Sequence, residues 1–481
     1  MLQRFRCWAM LAAFAGLAVS CEIGAAAKRP LNVLFIAADD LRCDLGCYGH
    51  PSVKSPNLDR LAERGVMFRR AYCQQALCNP SRASLMTGRR PDQLGIWNLT
   101  THFREVLPDV VTLPQHFQNH GYFTQNIGKI YHNWRTEIQG DPDSWSVPAV
   151  MHFGTHGDDK AQVSGPLPPN QAADIKCECR DVPDSAYYDG RIAELATAAI
   201  RERAESDQPF FLAVGFWKPH SPFNAPKRYW DMYSRNEIAM PDNPDWPRDA
   251  PRIAWHNSRE ILGTPTRVLT PEAVREIRHG YLAAITYLDA QIGKVLAELE
   301  RQHLTQRTVI VFWSDHGYHL GEQTLWAKTS NFELDAHVPL MIAAPGMKAN
   351  GSSTDALAEL LDLYPTLIDI CGLPAVDRLA GVSLQPVLQD AKQTVRKAAL
   401  TQHPRPAYYK NGKMEAIGYS LRTDRFRYTE WRDPKTQQRL ARELYDHEQD
   451  DQETINLADT DEHAETCRQL AKQLKRELDR K

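Results

Sequence analysis

The sequence lacks an excess of charge of either sign. Its 481 residues hold 57 Lys and Arg against 60 Asp and Glu, which gives a formal net charge of −3. This near-balance excludes a generally basic nucleic-acid-binding protein, although it leaves room for a local basic pocket. Internal repeats and low-complexity segments are absent as well, and hydrophobic residues make up 42% of the chain. The composition therefore predicts a packed globular protein and not a disordered one.

The sequence also lacks an apolar run long enough to cross a membrane. Residues 8–19 are mostly apolar and small, but this run is too short for a span. Arg4 and Arg6 precede it, and three alanines at 25–27 offer a small-residue cleavage site. We therefore expect a signal peptide at residues 1–27 and a protein that is periplasmic or secreted.

A second kind of export signal is open in the same segment. Residues 17–21 loosely resemble a bacterial lipoprotein signal, which would place a lipid on Cys21. Ala18 stands where such signals usually carry Leu, so simple export is the preferred interpretation.

The ten cysteines lack the spacing of a structural zinc site. Cys43 and Cys47 form one close pair and Cys177 and Cys179 another, but neither has a matching pair at zinc-finger spacing. An exported protein can form disulfides. The sequence alone does not give their pairing.

Near-continuous apolar runs alternate with helical patterns along the chain. Such runs are typical of strands buried on both faces of a parallel sheet. The predicted strands are residues 31–38, 122–127, 209–216, 308–313 and 339–344. Residues 272–301 place apolar side chains at helical spacing, which predicts a long helix on one face of the sheet. The pattern therefore indicates an α/β fold.

Two stretches, 141–169 and 239–265, are rich in Pro and Trp and carry little periodicity. Loops of this length in a compact domain tend to be functional walls or lids. Both are therefore candidates for the walls of a site.

The composition changes past residue 391. Residues 419–422 and 425–429 predict short strands, and 462–481 predicts a charged helix. We therefore expect a large domain over residues 28–390 and a smaller C-terminal subdomain over 391–481.

Ionisable side chains follow four of the predicted strands, at the point where each strand ends. They are Asp39 and Asp40 after the first, Lys129 and His132 after the second, Lys218 and His220 after the third, and Asp315 and His316 after the fourth. In open parallel sheets, ligands bind beyond the carboxyl ends of the strands. Four strand ends that carry charged groups therefore predict a site at this edge.

The acidic residues among them suggest a metal ion. Asp39 and Asp40 repel each other, and a cation relieves that repulsion. With Asp315 they make an oxygen-rich set that favours Ca²⁺ or Mg²⁺ over zinc, although His316 is a softer ligand than such ions normally choose. An N-cap role for the Asp39-Asp40 pair is the alternative.

Cys78 lies at the predicted start of a helix. Pro80 suits a first helical turn, and Gly88 suits the helix end. Free N–H groups at a helix N-terminus favour an anion, which would also suit a reactive thiolate. A buried, unreactive cysteine is the other interpretation at this stage.

The run Cys-Asn-Pro-Ser-Arg at 78–82, followed by Ala-Ser-Leu-Met-Thr-Gly at 83–88, resembles the type I sulfatase signature, in which the cysteine is oxidised to formylglycine. The similarity extends from about Asn32 to about Leu457, and within the family it is closest to the iduronate-2-sulfatase branch. Supporting that branch are Trp-Lys-Pro-His-Ser-Pro-Phe at 217–223, Trp-Ala-Lys-Thr-Ser-Asn-Phe at 326–332, and His316, where many sulfatases carry Asn.

The resemblance implies an alkaline-phosphatase-like α/β fold in which helices sandwich a mostly parallel central sheet, with a smaller C-terminal α+β subdomain. It implies that a formylglycine-generating enzyme converts Cys78 to formylglycine (3-oxoalanine), and that one Ca²⁺ is bound, with Mg²⁺ less favoured. The implied metal ligands are Asp39, Asp40, Cys78, Asp315 and His316.

The implied activity is hydrolysis of a sulfate ester on a glycosaminoglycan or another sulfated polysaccharide fragment. Arg82 would hold the formylglycine, and the groups around the sulfate would be Lys129, His132, His220 and Lys328. Fixed cations would stabilise charge on the sulfonyl oxygens. His220, with Lys328, would protonate the departing alcohol, and His132 would accept the proton whose loss expels sulfate.

Two rival functions are open. A phosphodiesterase or phosphonate monoester hydrolase of the same fold would generally use two metals, and the sequence accounts for one ligand set. A non-catalytic binding protein for sulfated glycans would have lost part of the metal, nucleophile or sulfate groups, and all of these are present.

Overall fold

Strands and helices alternate along the chain as the apolar pattern predicts. The computed structural model describes residues 29–132, 140–152, 154–172, 177–256, 258–264, 266–408 and 413–479. The predicted signal peptide, including Cys21, lies outside these residues. From Leu31 onward the chain forms one compact unit.

The strands within the described residues are β1 (Asn32–Asp39), β2 (Val66–Tyr72), β3 (Phe123–Gly128), β4 (Cys179–Arg180), β5 (Phe210–Pro219), β6 (Ala225–Pro226), β7 (Thr308–Ser314), β8 (His319–Leu320), β9 (Trp326–Ala327), β10 (His337–Ala343), β11 (Ser352–Glu359), β12 (Ala399–Arg405), β13 (Ala416–Arg422), β14 (Phe426–Arg432) and β15 (Arg439–Asp446).

The helices within the described residues are α1 (Pro56–Arg64), α2 (Cys78–Thr87), α3 (Pro91–Leu94), α4 (Phe103–Val106), α5 (Leu113–Asn119), α6 (Tyr188–Ala204), α7 (Lys227–Trp230), α8 (Arg259–Leu262), α9 (Pro271–Arg301), α10 (Glu333–Ala336), α11 (Leu363–Cys371), α12 (Gln385–Gln389) and α13 (Ala464–Leu478). None of these helices combines the length and the apolarity needed to cross a bilayer.

The central sheet has seven strands in the order β11-β2-β10-β7-β1-β5-β3. β1 pairs in parallel with β5 and β7, and β3 pairs in parallel with β5. β10 is antiparallel to both of its neighbours, and β11 is parallel to β2. The sheet is therefore mostly parallel, as predicted, with one strand reversed.

Two layers of helices cover the sheet, and β1 shows why. Leu34, Ile36 and Ala38 point into a core that α1, α6 and α9 share, while Val33 and Phe35 point into a core that α2, α5 and α11 share. A strand with both faces buried needs no polar alternation, which explains its continuous apolar run. The predicted sandwich of helices around the sheet is confirmed.

A four-stranded antiparallel sheet, β12-β13-β14-β15, forms a C-terminal domain with α13 packed on one face. The short strands and the tail helix predicted past residue 391 are confirmed as β13, β14 and α13. The boundary at residue 390 stays a prediction.

Buried charges join the C-terminal sheet to the large domain. Arg427 on β14 contacts both Glu333 of α10 and Glu453, with Nε 2.7 Å from Glu453 Oε1. Arg422 lies 3.1 Å from Glu333, and His447 lies 3.0 Å from Glu453. We refer to these five residues as the interdomain charge cluster. Glu333, His447 and Glu453 are possible metal ligands, but both carboxylates already contact the Arg427 guanidinium and His447 contacts Glu453.

Candidate active site

The carboxyl ends of β7, β1, β5 and β3 lie side by side at one edge of the sheet. The ionisable residues predicted to follow these strands therefore meet there, with one exception. Lys218 turns away, and its Nζ lies 3.0 Å from Asp159 and 2.8 Å from the Pro222 carbonyl.

Two glycines let the end of β3 approach β5. Gly128 has a φ of 83°, and a Cβ on it would collide with the Gly215 carbonyl. A Cβ on Gly215 would in turn collide with the Lys129 backbone. The Lys129 N–H donates to the Gly215 carbonyl at 2.7 Å. The absence of side chains at both positions therefore fixes where Lys129 enters the site.

Arg82, on α2, is fully buried and bridges two strand ends. Its Nε lies 2.8 Å from Asp315 Oδ2, and its Nη2 lies 3.0 Å from Asp39 Oδ1. Its N–H groups also donate to the carbonyls of Ala38, Lys129 and Ile130. The guanidinium thus ties three strands together, a geometry that a lysine ammonium does not reproduce. We refer to Asp39, Asp40, Asp315 and Arg82 as the strand-end cluster.

Cys78 begins α2 and faces the strand-end cluster. Its Sγ lies 3.3 Å from His316 Nε2 and 4.0 Å from Asp40 Oδ1, and the residue is only 2% exposed. Burial raises the pKa of the Cys78 thiol well above its usual value, against the nearby charge of Lys129. The unmodified side chain is therefore a thiol, which argues against an ordinary thiolate nucleophile.

The five predicted metal ligands fall into two overlapping groups that share Cys78. One contains Asp39, Asp40, Cys78 and also His220, and the other contains Cys78, Asp315 and His316. Within each group the possible ligand atoms lie within 4.8 Å of one another. The backbone of Asp40, with a φ of 63°, turns its N–H toward Asp315 Oδ1 at 3.1 Å.

These residues fit a hard divalent cation. Asp39, Asp40 and Asp315 are fully buried carboxylates. His316 Nδ1 lies 2.9 Å from the Gly317 carbonyl, which assigns the proton to Nδ1 and leaves the Nε2 lone pair facing Cys78 and Asp40. Burial, with the charges of Glu260 and the other two aspartates, raises the pKa of Asp40 well above its usual range despite Lys328. A divalent cation would relieve that excess of negative charge.

Lys129 and His156 contact the other side of Asp39. Lys129 Nζ lies 2.5 Å and His156 Nε2 lies 2.6 Å from Asp39 Oδ2. Burial alone would raise the pKa of Asp39, but Lys129, Arg82 and His156 together hold it well below its usual range. The negative charge of Asp39 is therefore compensated by its neighbours, whereas that of Asp40 is not.

His132 lies in the wall of the same cavity. Its Nδ1 is buried and has no hydrogen-bond partner among the described residues. Burial and the charge of Lys129 lower the pKa of His132 well below its usual value. His132 is therefore a neutral imidazole, and its Nδ1 has no partner among the described residues.

His220, Lys328 and Glu260 form a chain of contacts. Lys328 Nζ lies 2.9 Å from His220 Nε2, 2.6 Å from Asp40 Oδ2 and 2.7 Å from Glu260 Oε2. His220 Nδ1 lies 2.6 Å from the Ser221 carbonyl, which accepts only, so Nδ1 carries the proton. Burial and the charge of Lys328 lower the pKa of His220 to about 3.

A cavity of about 280 Å³ opens over these groups. Its lining includes Cys78, Lys129, His132, His220 and Lys328, together with Glu260, His156, Trp217, Leu99 and Tyr408. A larger cleft, of about 620 Å³, lies between α1 and the end of α9 and contains none of the predicted site residues. The smaller cavity is the candidate active site because the charged groups converge there.

Sequence reasoning missed three ionisable residues that line the cavity: His156, Glu260 and Tyr408. His156 stacks on His220 with ring centroids 3.4 Å apart. Both His156 and Glu260 lie in the two long stretches predicted as functional walls, so the signal located the segments but not the residues. Tyr408 follows β12 of the C-terminal sheet, where the sequence offered no signal for a site.

The comparison with known families agrees with this geometry. The chain matches the sulfatase family over residues 31–373 and the C-terminal region of N-sulphoglucosamine sulphohydrolase over residues 321–480. Iduronate 2-sulfatase of Mus musculus is 34% identical over 478 residues, which cover 86% of each chain. The Homo sapiens protein of that name is 32% identical over 467 residues, which cover 83% of this chain and 85% of the human one.

Solved structures share the fold. A protein in complex with its substrate D-glucosamine-2-N,6-O-disulfate superposes with a TM-score of 0.73 at 23% identity, covering 93% of this chain and 97% of that one. A phosphonate monoester hydrolase from Silicibacter pomeroyi superposes with a TM-score of 0.76 at 25% identity, covering 93% of this chain and 94% of the other. The predicted alkaline-phosphatase-like architecture, with its C-terminal sheet, is therefore confirmed. By the family match over most of its length and by its identity to the iduronate 2-sulfatases, the chain belongs to the sulfatase family and is a sulfuric ester hydrolase.

Proposed function

We propose that this protein removes sulfate from a sulfated sugar, and that it does so with a formylglycine derived from Cys78 and one bound Ca²⁺. The observation that carries the proposal is the position of Cys78. Its Sγ lies at the floor of the cavity, next to Asp40 and His316, and the cavity wall carries Lys129 and Lys328. An oxygen at that position would face cations on one side and carboxylates on the other.

The sugar class is supported by the relatives and by the cavity. The matching relatives are named iduronate 2-sulfatases, and one neighbour in fold was solved with a sulfated glucosamine. Tyr408 lines the cavity and is 36% exposed. An exposed aromatic face next to a charged floor suits a sugar ring that carries an anionic group.

Conversion of Cys78 would supply a hydrated aldehyde whose oxygen attacks sulfur, and the calcium ion would hold and polarise the oxygens at the cavity floor. Asp39, Asp40, Asp315 and His316 would hold that ion together with residue 78. Arg82 cannot reach substrate because it is fully buried. Its role is to fix Asp39 and Asp315, and so the geometry of the floor.

Lys129, His132 and Lys328 would bind the sulfate group. Lys129 and Lys328 both line the cavity, and their positive charges would stabilise the charge that develops on the sulfonyl oxygens. His132, which lines the cavity, would accept a proton from residue 78 when sulfate is expelled.

The departing alcohol would take its proton from the Lys328–His220 pair. Because His220 Nδ1 is committed to the Ser221 carbonyl, its Nε2 carries the lone pair and accepts from Lys328. Lys328 is therefore the group that holds a proton to give, and His220 Nε2, which accepts from it, orients it. We therefore propose Lys328, with His220 beside it, as the source of the proton that the sequence-based hypothesis assigned to His220.

The direct test is chemical. In protein made by its native host, the peptide that contains Cys78 should weigh about 18 Da less than the thiol form, because oxygen replaces sulfur and two hydrogens are lost. The same preparation should release sulfate from one or more members of a panel of sulfated mono-, di- and polysaccharides. Cys78→Ala should lower kcat/KM roughly 10⁴-fold while the unfolding transition stays within error of the wild type.

Two outcomes would overturn the proposal. A persistent thiol at Cys78 in the native host would favour a glycan-binding protein without turnover. Faster hydrolysis of phosphodiesters or phosphonate monoesters than of sulfate esters would favour the activity named for the Silicibacter pomeroyi neighbour.

We also propose that the chain is exported, with residues 1–27 as the signal. N-terminal sequencing of the mature protein from its native host should begin near Lys28. A lipid-modified N-terminus at Cys21 would instead establish the lipoprotein alternative, and an intact Met1 would contradict both.

A further inference from the structure

Glu260 contacts the proton-donating pair without belonging to any strand end. It lies on the short helix α8, and its Oε2 is 2.7 Å from Lys328 Nζ and 3.7 Å from His220 Nε2. Its side chain is 17% exposed and lines the cavity. A carboxylate in a pocket built for an anionic substrate repels that substrate, so its presence calls for a reason other than sulfate binding.

The carboxylate of Glu260 is itself held in place. Its Oε1 accepts from the Tyr318 hydroxyl at 2.6 Å and from the Ser221 hydroxyl at 2.9 Å. Tyr318 follows β7, and Ser221 follows β5, so Glu260 is fixed to two strand ends although it comes from a loop. The second oxygen is thereby left in a defined position toward Lys328.

The contacts of Lys328 show what that position does. An ammonium has three N–H groups. Three acceptors surround Lys328 Nζ: Asp40 Oδ2 at 2.6 Å, Glu260 Oε2 at 2.7 Å and His220 Nε2 at 2.9 Å. With two N–H groups directed at the carboxylates, the third is directed at His220 Nε2. Without Glu260, one of the three acceptors that hold the ammonium would be missing, and its position beside His220 would be less well defined.

We propose that Glu260 is the positioning residue for leaving-group protonation, and that it holds the Lys328 ammonium beside His220, where the N–H that faces His220 Nε2 can be given to the departing oxygen. The proposal rests on the proposed sulfatase function. As the sulfur–oxygen bond breaks, the leaving oxygen keeps the electron pair and takes a proton that originates on Lys328. Glu260 remains ionised and exchanges no proton itself.

An ordinary stabilising ion pair is the alternative. A buried pair that loses one partner costs stability wherever it lies in a protein. Such a loss would lower the rate on every substrate by the same factor. A positioning role differs, because help with protonation matters only when the leaving group is a poor one.

The first experiment uses that difference. Wild type and Glu260→Gln are compared on two aryl sulfates, para-nitrophenyl sulfate, whose phenolate leaves readily, and para-methoxyphenyl sulfate, whose phenolate does not. We expect the substitution to lower kcat/KM for the para-methoxy ester about tenfold more than for the para-nitro ester. Glu260→Asp should restore part of the difference. An equal loss on both esters would overturn the proposal.

The second experiment does not depend on the choice of ester. In a double-mutant cycle on whichever sulfate ester the wild type hydrolyses, Glu260→Gln should have no further effect in a Lys328→Ala background. If the two losses multiply, Glu260 acts on something other than Lys328 and the proposal fails.

The matched control is Glu359→Gln. Glu359 is a buried carboxylate paired with Arg90 and Arg396 outside the cavity, and it contacts none of the site residues named above. Its substitution should lower the unfolding midpoint and leave the ratio of the two aryl esters unchanged. If the wild type hydrolyses no sulfate ester, the proposed function itself is wrong. The Glu260 comparison requires an active wild type, so failure of the Glu260 proposal gives a different result.

Discussion

The strand-end cluster and the interdomain charge cluster are built alike but balanced differently. In each, one buried arginine bridges two carboxylates: Arg82 joins Asp39 and Asp315, and Arg427 joins Glu333 and Glu453. In the interdomain charge cluster, burial would raise the pKa values of Glu333 and Glu453, but the neighbouring arginines hold both below the usual range.

The strand-end cluster contains one carboxylate, that of Asp40, whose negative charge is not compensated by its neighbours. Burial and neighbouring carboxylates keep the pKa of Asp40 well above its usual range, although Lys328 lies 2.6 Å away. A cluster with balanced charges holds two domains together, whereas one with an unsatisfied carboxylate is prepared to receive a cation. The difference between a structural and a functional ion cluster is thus visible in its charge balance more than in its composition.

The largest contrast should come from the two arginines. Arg82→Gln and Arg427→Gln each remove a buried guanidinium from between two carboxylates, and each should lower the free energy of unfolding by about 3–5 kcal/mol. Only Arg82→Gln should also lower kcat, by roughly 10²–10³-fold, because it disturbs the cavity floor. The measurement is kcat on folded protein well below the unfolding midpoint. Comparable loss of kcat in both variants would erase the distinction between the clusters.

The next largest difference between the two clusters should be in how Ca²⁺ affects the stability of their variants. Adding Ca²⁺ at 100 times its Kd to chelator-treated protein should raise the free energy of unfolding by about 2.7 kcal/mol. Asp40→Asn should remove most of this increase in the free energy of unfolding, because it removes the carboxylate whose charge is not compensated. Glu453→Gln is the control and should retain the gain. Calorimetry with and without Ca²⁺ checks the result, and an equal gain in both variants would contradict a site at the strand ends.

The smallest expected effect is on the pH dependence of stability in metal-free protein. The folded pKa of Asp40 lies above the unfolded value of 3.8, so its contribution is full below about pH 3.8 and is lost as the pH rises. The folded pKa of Glu453 lies below the unfolded value of 4.5, so its contribution is present above about pH 4.5 and is lost as the pH falls.

Urea unfolding across this range should therefore give opposite signs. Relative to the wild type, Asp40→Asn should gain roughly 1 kcal/mol at neutral pH, and Glu453→Gln should lose a similar amount that shrinks toward low pH. Parallel curves for the two variants would show that the clusters do not differ in charge balance.

The residues at the strand ends could be predicted from the sequence because the position of such residues follows from a general property of parallel sheets. Parallel strands bring their carboxyl ends to the same edge, so Asp39, Lys129, His220 and Asp315 could be assigned to one site without knowing the strand order. The apolar runs located four of these strands to within a few residues. The resemblance to a known signature then added the predicted conversion of Cys78 to formylglycine, which no local pattern reveals.

The loop residues could not be predicted in the same way. Glu260 reaches Lys328 only because Tyr318 and Ser221 hold it, and those contacts join residues far apart in the chain. Tyr408 reaches the cavity because the C-terminal sheet packs beside it. The same holds for the interdomain charge cluster, in which Glu333 and Glu453 are 120 residues apart and share one arginine. Such placements depend on packing, and no spacing in the sequence encodes them.

The burial of Cys78 also sets the order of events in biosynthesis. The residue is 2% exposed, and Ser81 and Arg82 beside it are fully buried in contacts with the strand ends. Folding therefore hides Cys78 and its neighbours from any other protein. If Cys78 is converted, the enzyme must act on the newly made, still unfolded chain. A molecule that folds first would keep its thiol, so the fraction of active enzyme would depend on timing during synthesis and not on the stability of the finished fold.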